Sequence, residues 1–183
     1  MNPNGQLTSN VAKYIKDKLN AEGYDVYSDH GEAGEFIGTI AVSINDTLRQ
    51  KEEISQLDIA VVEENPKGEE KLRRAIALIE IEETTDNPKK LIGDIFTLLM
   101  GKSIYLPGGE EVVAGEWTTL IIIAKDVDHE HRNKEIQNMA NDARFAFGTA
   151  NLKIGNIIID SFSVDKRLEN VLMNNIEKAI NRK

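Results

Sequence analysis

Three acidic residues lie on two neighbouring apolar segments and have the spacing of a cation site. Residues 57–63 and 75–83 are short runs rich in Ile and Val with turn residues between them, which predicts two adjacent strands in a hairpin. Side chains two positions apart on a strand share a face, so Glu80 and Glu82 project together, with Asp58 expected beside them. Close carboxylates repel one another and lose hydration when buried, and such a site usually holds a hard cation. The pattern therefore predicts a Mg²⁺ site.

The same spacing has a second interpretation, a solvated strand face. A chain with 31 Asp and Glu residues contains some Glu-x-Glu pairs by chance, and acidic residues are common at strand ends. The context favours the cation site, because apolar residues alternate with the acids from Leu78 to Glu82 and the strand leads into a helix start near Pro88. Both interpretations stay open at the level of sequence.

Length and composition indicate one globular domain, residues 1–183. The chain has 183 residues, 40% of them hydrophobic and 29% charged, which is enough for a single core. No apolar run approaches the roughly 20 residues that span a bilayer, and the first residues lack a signal-peptide pattern. We therefore expect a cytoplasmic protein with no membrane partner. The absence of cysteine excludes disulfides, thiolate metal sites and cysteine nucleophiles.

Other kinds of functional site have little support. The net charge of −9 argues against a protein that coats nucleic acid nonspecifically, but it does not exclude a nuclease with a local basic patch. The chain has no Gly-x-x-x-x-Gly-Lys motif and no Gly-x-Ser-x-Gly motif, which argues against nucleoside triphosphatases and the commonest hydrolases. His129 and His131 are two positions apart around a helix start and do not share a helical face, so an exposed cap region is preferred there.

Hydrophobic periodicity and turn residues predict alternating strands and helices. Helices are predicted at residues 7–22, 88–101 and 128–147, with a last helix capped by Asp165; strands are predicted at residues 24–27, 54–63, 72–83, 103–106, 117–125 and 156–162. Residues 36–48 fit either a strand or a helix. Within these elements, Thr8, Ser9 or Asn10 is expected to cap the first helix, and Met139 is expected to face the core.

The order of these elements predicts an α/β fold with a mixed central sheet flanked by helices. Residues 120–124 are apolar on both faces, which is typical of a strand in the middle of a covered sheet. Strands that are separated by helices tend to pair in parallel through crossovers, whereas the predicted hairpin is antiparallel.

This order and its acidic positions resemble the restriction endonuclease-like superfamily, the PD-(D/E)xK nucleases. Members have a helix and then three meandering strands, with Asp on the second strand and Glu-x-Glu or Glu-x-Lys on the third. Asp58 matches the metal-binding Asp, Glu80 matches the (D/E) position, and Glu82 stands where Lys is usual. Leu57 stands where Pro is frequent. The resemblance covers most of residues 7–162 and implies a restriction endonuclease-like domain.

The resemblance implies a Mg²⁺- or Mn²⁺-dependent endonuclease that acts on DNA. Asp58 and Glu80 would hold the cation, with the main-chain carbonyl of Ile81 as a further ligand. Glu82 is the expected general base, with Lys89 or Lys90 as the alternative source of the missing positive charge. Cleavage of both strands of a duplex favours a homodimer.

Two alternatives to the nuclease stay open. Loss of the usual Lys is compatible with a catalytically inactive domain of the same fold that binds a protein or nucleic-acid partner. The third option is a metal-dependent enzyme with a small phosphorylated substrate, which would have a closed pocket in place of a groove.

Overall fold

The structure is a computed structural model that describes residues 3–31, 33–45, 53–64, 73–82, 88–125, 130–147, 152–163 and 167–182. Within these ranges the chain forms four α-helices and nine β-strands. The helices are α1 (Pro3–Leu19), α2 (Pro88–Met100), α3 (Glu130–Phe147) and α4 (Leu168–Ile180). The strands are β1 (Tyr24–Ser28), β2 (Ile40–Ser43), β3 (Glu53–Leu57), β4 (Ile59–Glu64), β5 (Arg73–Glu82), β6 (Ser103–Tyr105), β7 (Glu111–Val112), β8 (Thr119–Lys125) and β9 (Asn156–Phe162).

A five-stranded mixed sheet forms the centre of the described structure, with the strand order β1-β4-β5-β8-β9. β1, β4 and β5 are antiparallel neighbours, whereas β5, β8 and β9 are parallel because the connections between them contain helices α2 and α3. The predicted hairpin is confirmed, with Ile59 of β4 opposite Ile79 of β5. The predicted mixed α/β architecture, with helices flanking the central sheet, is also confirmed.

A second sheet contains four antiparallel strands in the order β3-β2-β6-β7. The single strand predicted at residues 54–63 is therefore wrong: the chain bends at Asp58, so that β3 belongs to the second sheet and β4 to the central sheet. The bend is stabilised by β5, because the N–H of Asp58 donates to the carbonyl of Ile79 at 3.1 Å. Within residues 36–48, where the sequence left strand and helix open, β2 is a strand.

Apolar residues cover both faces of the central sheet. On one face, which we call the α2 face, residues such as Leu78 and Ile122 pack with α2, α3 and the second sheet. On the opposite face, the α1 face, Ile79 and Ile121 pack with α1 and α4. Successive strand residues point to opposite faces, so burial on both faces explains the continuous apolar runs of the inner strands. β8 is such an inner strand, as its sequence predicted.

Helix α1 begins earlier than its sequence predicts. It starts at Pro3, so the three cap candidates at positions 8 to 10 all lie inside the helix, and that prediction is wrong. Thr8 and Ser9 are buried, and the Ser9 hydroxyl donates to the carbonyl of Gly31. The end of the helix is as predicted, because Gly23 follows a short 3₁₀ turn with a left-handed φ of 81°.

Helix α3 buries a narrow stripe. Ile136 and Ala140 are buried, whereas Met139 is 42% exposed, so the prediction that Met139 faces the core is wrong. Residues 136 and 140 are one turn apart and use the available contact with the sheet, which leaves position 139 at the edge of the stripe. The predicted cap residues Asp128 and Asp165 lie outside the described residues. Among the described helices, none is long and apolar enough to cross a membrane.

Candidate carboxylate site between the two sheets

Asp58 occupies the corner where the chain passes from the second sheet to the central sheet. Its carboxylate Oδ2 accepts a hydrogen bond from the N–H of Ile81 at 2.6 Å, and its own N–H donates to the carbonyl of Ile79. β3 belongs to the second sheet, so β4 begins only after Asp58. The Asp58 carboxylate therefore accepts the β5 hydrogen bond that a longer β4 would accept through its backbone. β5 therefore positions both the backbone and the side chain of Asp58.

Glu80 and Glu82 lie on the same face of β5, as their two-residue spacing predicts. Ile79 and Ile81 belong to the apolar cluster of the α1 face, which places the two glutamates on the α2 face. Glu82 is only 5% exposed, and Glu80 is partly buried. The structure thus brings Asp58, Glu80 and Glu82 to the carboxyl end of β5.

Helix α2 contributes a cation and a fourth acid to this corner. Lys90 Nζ donates to Glu82 Oε2 in an ion pair, and Asp94 lies one helical turn after Lys90 on the same side of α2. The Lys90 side chain is about half exposed, at 49%, so this ion pair lies at the rim of the corner. Lys90 is one of the two lysines that the sequence offered, and it pairs with Glu82.

Asp29 is a fifth acid, which the sequence analysis did not identify. It follows β1 directly, and its N–H donates to the carbonyl of Asp58 at 3.1 Å. His30 accompanies it, with Nδ1 2.8 Å from Asp29 Oδ1. The register of the sheet explains this meeting, because Ser28 at the end of β1 is opposite Ile59 at the start of β4. The sequence shows Asp29 directly after a predicted strand. Its position beside Asp58 can be inferred only once β1 is known to pair with β4.

Burial and mutual repulsion shift the pKa values of these carboxyl groups upward. Burial is the largest cause for Asp58, whose pKa is raised to about 7, and for Glu80, whose pKa is raised to about 9. The charges of Asp58 and Asp94 raise the pKa of Glu80 further, whereas the charge of Lys90 acts in the opposite direction. Burial also raises the pKa of Asp29 and of Asp94. The corner therefore holds more carboxyl groups than it can keep ionised at neutral pH without added positive charge.

The oxygen donors of this corner fit a hard divalent cation in their chemistry. The N–H and C=O of one strand residue face the same side, so the Ile81 carbonyl faces the side where its N–H meets Asp58. Carboxylate and carbonyl oxygens are the ligands that Mg²⁺ and Mn²⁺ prefer. As the side chains stand, no group of three or more acidic or histidine residues in the described ranges is arranged to hold a metal ion. In this arrangement Asp58 is hydrogen-bonded by the Ile81 N–H, and Lys90 compensates Glu82.

Other acids and histidines lie elsewhere. Glu22 and Glu35 are exposed. Glu32 and His129 lie outside the described residues, and so does the side chain of His131. None of these positions adds a described donor to the corner.

Two arginines at the start of β5 are engaged within the protein. Arg73 pairs with Glu64 and Glu110, and the guanidinium of Arg74 stacks over Trp117 with 4.7 Å to the ring centroid. They therefore reinforce the start of β5, and Lys90 is the described lysine that pairs with an acid of the corner.

Comparison with known proteins gives no relative. No family model matches the chain, and no curated protein and no solved structure matches it significantly. The resemblance to the restriction endonuclease-like superfamily therefore rests on the order of elements and on the positions of Asp58, Glu80 and Glu82.

Proposed function

We propose that this protein is a Mg²⁺- or Mn²⁺-dependent nuclease with a restriction endonuclease-like fold, which hydrolyses phosphodiester bonds of DNA. The observation that carries the proposal is the convergence of Asp58, at the bend between β3 and β4, with Glu80 and Glu82 of β5 at one partly buried corner. A helix precedes these strands and another follows them directly, which is the order that the resemblance implies. Strongly perturbed carboxyl groups gathered in this way are typical of sites that do chemistry.

Asp58, Glu80 and the Ile81 carbonyl are the groups that would hold the cation. A bound cation supplies three things in phosphodiester hydrolysis: it shields phosphate charge, lowers the pKa of a water and stabilises the leaving oxygen. Asp58 and Glu80 would release their retained protons on becoming ligands, so their raised pKa values would make cation binding tighter as the pH rises. The hydrogen bond from Ile81 to Asp58 keeps the strand end and the carboxylate in fixed register.

Glu82 is the proposed general base, and Lys90 orients it. The water oxygen attacks phosphorus, its proton passes to the Glu82 carboxylate, and one P–O ester bond breaks while the leaving oxygen takes a proton from solvent. Lys90 contacts Glu82 from the next helix and supplies the positive charge that the superfamily usually takes from a lysine at the position of Glu82. Its half-exposed ammonium is available to the charge that develops on the phosphate.

The same proposal includes a cytoplasmic enzyme, which would act as a homodimer if it cuts both strands of a duplex. Two copies related by a twofold axis would present two sites to two strands. The molar mass of the protein in solution, with and without DNA, tests the dimer separately from the chemistry.

The direct test is calorimetric titration of Mn²⁺ combined with cleavage of supercoiled plasmid. Asp58→Asn keeps the shape of the side chain and removes its charge, and Asp142→Asn makes the same change on an exposed position of α3. We expect Asp58→Asn to weaken Mn²⁺ binding at least about tenfold and to abolish nicking. Asp142→Asn should behave like the wild type in both assays.

Two results would overturn this function. Wild-type protein that neither binds Mn²⁺ nor nicks plasmid would point to the inactive, partner-binding alternative. Nicking that survives in Asp58→Asn would place the chemistry at another site.

A further inference from the structure

A cavity of about 370 Å³ opens between helix α1 and the loop that follows β1. Lys13 and Lys16 of α1 line one wall, and Tyr27, His30 and Ile37 are among the residues of the opposite wall. We call it the α1 cavity. Pockets that bind small organic groups have volumes of about 300–1,000 Å³, so this cavity has room for one group of nucleotide size.

The loop beside the α1 cavity is held in a fixed conformation. His30 and Phe36 form an antiparallel bridge, and the N–H of Ile37 donates to the carbonyl of Asp29 at 2.9 Å. The hydroxyl of Ser9 on α1 donates to the carbonyl of Gly31 at 2.5 Å, which attaches the loop to the helix. The walls of the cavity are therefore preformed, which lowers the entropy cost of binding.

The loop exposes two large apolar side chains although it is well anchored. Phe36 is 62% exposed and Ile37 is 55% exposed, the two highest values among the large hydrophobic residues described. The His30 ring packs against the edge of Phe36, with 5.9 Å between ring centroids. A patch of aromatic and aliphatic side chains on a fixed loop is suited to contact with a nucleobase.

The charge of the opposite wall complements a phosphate. Lys13 and Lys16 lie one turn apart on α1, and Asp17 is the acidic residue among the lining side chains. The chain as a whole has a net charge of −9, whereas the lining of this cavity has two lysines and one acid, which favours a polyanion here.

His30 connects the α1 cavity to the carboxylate corner. It lines the cavity, and its Nδ1 lies 2.8 Å from Asp29 Oδ1. Asp29 in turn donates its N–H to the carbonyl of Asp58. These contacts join the loop that lines the cavity to the bend that carries Asp58.

We propose that the α1 cavity binds an unpaired nucleotide of the DNA strand that is cleaved at the carboxylate site. Lys13 and Lys16 contact its phosphate. Its base contacts Ile37 in the lining and extends to Phe36, which is exposed beside it. A base inside a duplex is covered by its stacked neighbours, so the cavity selects single-stranded DNA or an unpaired strand end. This inference rests on the proposed nuclease function.

Binding of a short fluorescent oligo-dT strand, followed by anisotropy in EDTA, tests the cavity without cleavage. Lys16→Gln removes a charge from the cavity, and Lys18→Gln removes the same charge from another side of α1, where Lys18 lies over Tyr14. We expect Lys16→Gln to bind about tenfold more weakly and to lower the slope of log K against log salt by about 0.7, the value for one phosphate contact on a single strand. Lys18→Gln should match the wild type.

A second pair of variants tests contact with the base. Phe36→Ala should weaken oligo-dT binding about tenfold, because stacking on an aromatic side chain is lost. Met139→Ala, an exposed apolar position on α3, should leave it unchanged. The wild type should prefer oligo-dT over a duplex of the same length.

Three results overturn the cavity as a nucleotide site: no binding of oligo-dT by the wild type, equal affinities in Lys16→Gln and Lys18→Gln, or tighter binding of the duplex. Plasmid nicking in Mn²⁺ separates this failure from that of the proposed function. If nicking persists and depends on Asp58, the nuclease stands and the substrate enters by another route. If nicking is absent but Lys16→Gln and Phe36→Ala still weaken oligo-dT binding, the cavity is a nucleotide site and the proposed nuclease activity is wrong.

Discussion

Replacement of Glu80 by Gln should remove most of the pH dependence of stability above pH 7. Burial and the charge of Asp58 raise the pKa of Glu80 from its ordinary 4.5 to about 9. Between these two values the folded protein retains a proton that the unfolded chain has lost, so the free energy of unfolding falls as the pH rises toward 9. Gln cannot ionise, so the variant should not lose this stability.

The magnitude follows from proton linkage. A difference of one bound proton changes the free energy of unfolding by about 1.4 kcal/mol per pH unit. Between pH 7 and pH 9 the wild type should therefore lose about 2 kcal/mol, because Glu80 is half ionised at the upper end of that range. Asp58, whose pKa is about 7, adds a second fall that is largely complete before this range begins.

Urea unfolding in EDTA at pH 7 and pH 9, followed by the fluorescence of the single tryptophan, Trp117, measures this difference. Glu111→Gln is the matched control, because Glu111 is a strand glutamate that is exposed. The free energy of unfolding of Glu111→Gln should fall between pH 7 and pH 9 as it does in the wild type. That of Glu80→Gln should hardly change. A parallel decline in Glu80→Gln and wild type would refute burial of a protonated Glu80.

Two further predictions concern the ion pair and the packing. Lys90→Met should lower plasmid cleavage about 100-fold with Mn²⁺ affinity retained, because its contact with Glu82 is lost. Lys153→Met, at an exposed position before β9, should change neither, and equal loss in both variants would indicate a general charge effect. Gly155→Ala should lower the free energy of unfolding by more than about 2 kcal/mol, because the added Cβ would lie 1.7 Å from the main-chain oxygen of Glu116. Gly93→Ala, with nothing within 4 Å, should raise stability by about 0.5–1 kcal/mol, and a gain in both variants would contradict this packing.

The strands and helices that depend on local pattern were predictable from the sequence. The two-residue spacing of Glu80 and Glu82 placed them on one face of β5, and the strand at residues 156–162 has the predicted bounds. Such features follow from side-chain periodicity within one segment, so no knowledge of distant partners is needed.

The bend at Asp58 was not predictable, because residues 54–63 read as one strand. Whether a strand continues in its sheet depends on its neighbours, and here β2 pairs with the first half while β1 and β5 pair with the second half. For the same reason the sequence did not identify Asp29, and it left the choice between Lys89 and Lys90 open. Their places follow from strand pairing and from the packing of α2, and neither is encoded in their immediate sequence.

Packing within the fold favours an apolar residue at position 80, so the presence of an acid there needs a different explanation. Leu78 and Ile122 are buried on the same face of the sheet, and Glu80 stands beside Ile122 in the register of β5 and β8. A leucine or isoleucine at position 80 would extend that cluster, whereas Glu80 meets the repulsion of Asp58 and loses hydration. Residues that oppose the stability of the fold in this way concentrate at functional sites. The destabilisation expected from Glu80 is thus itself an argument that the corner serves a ligand with positive charge.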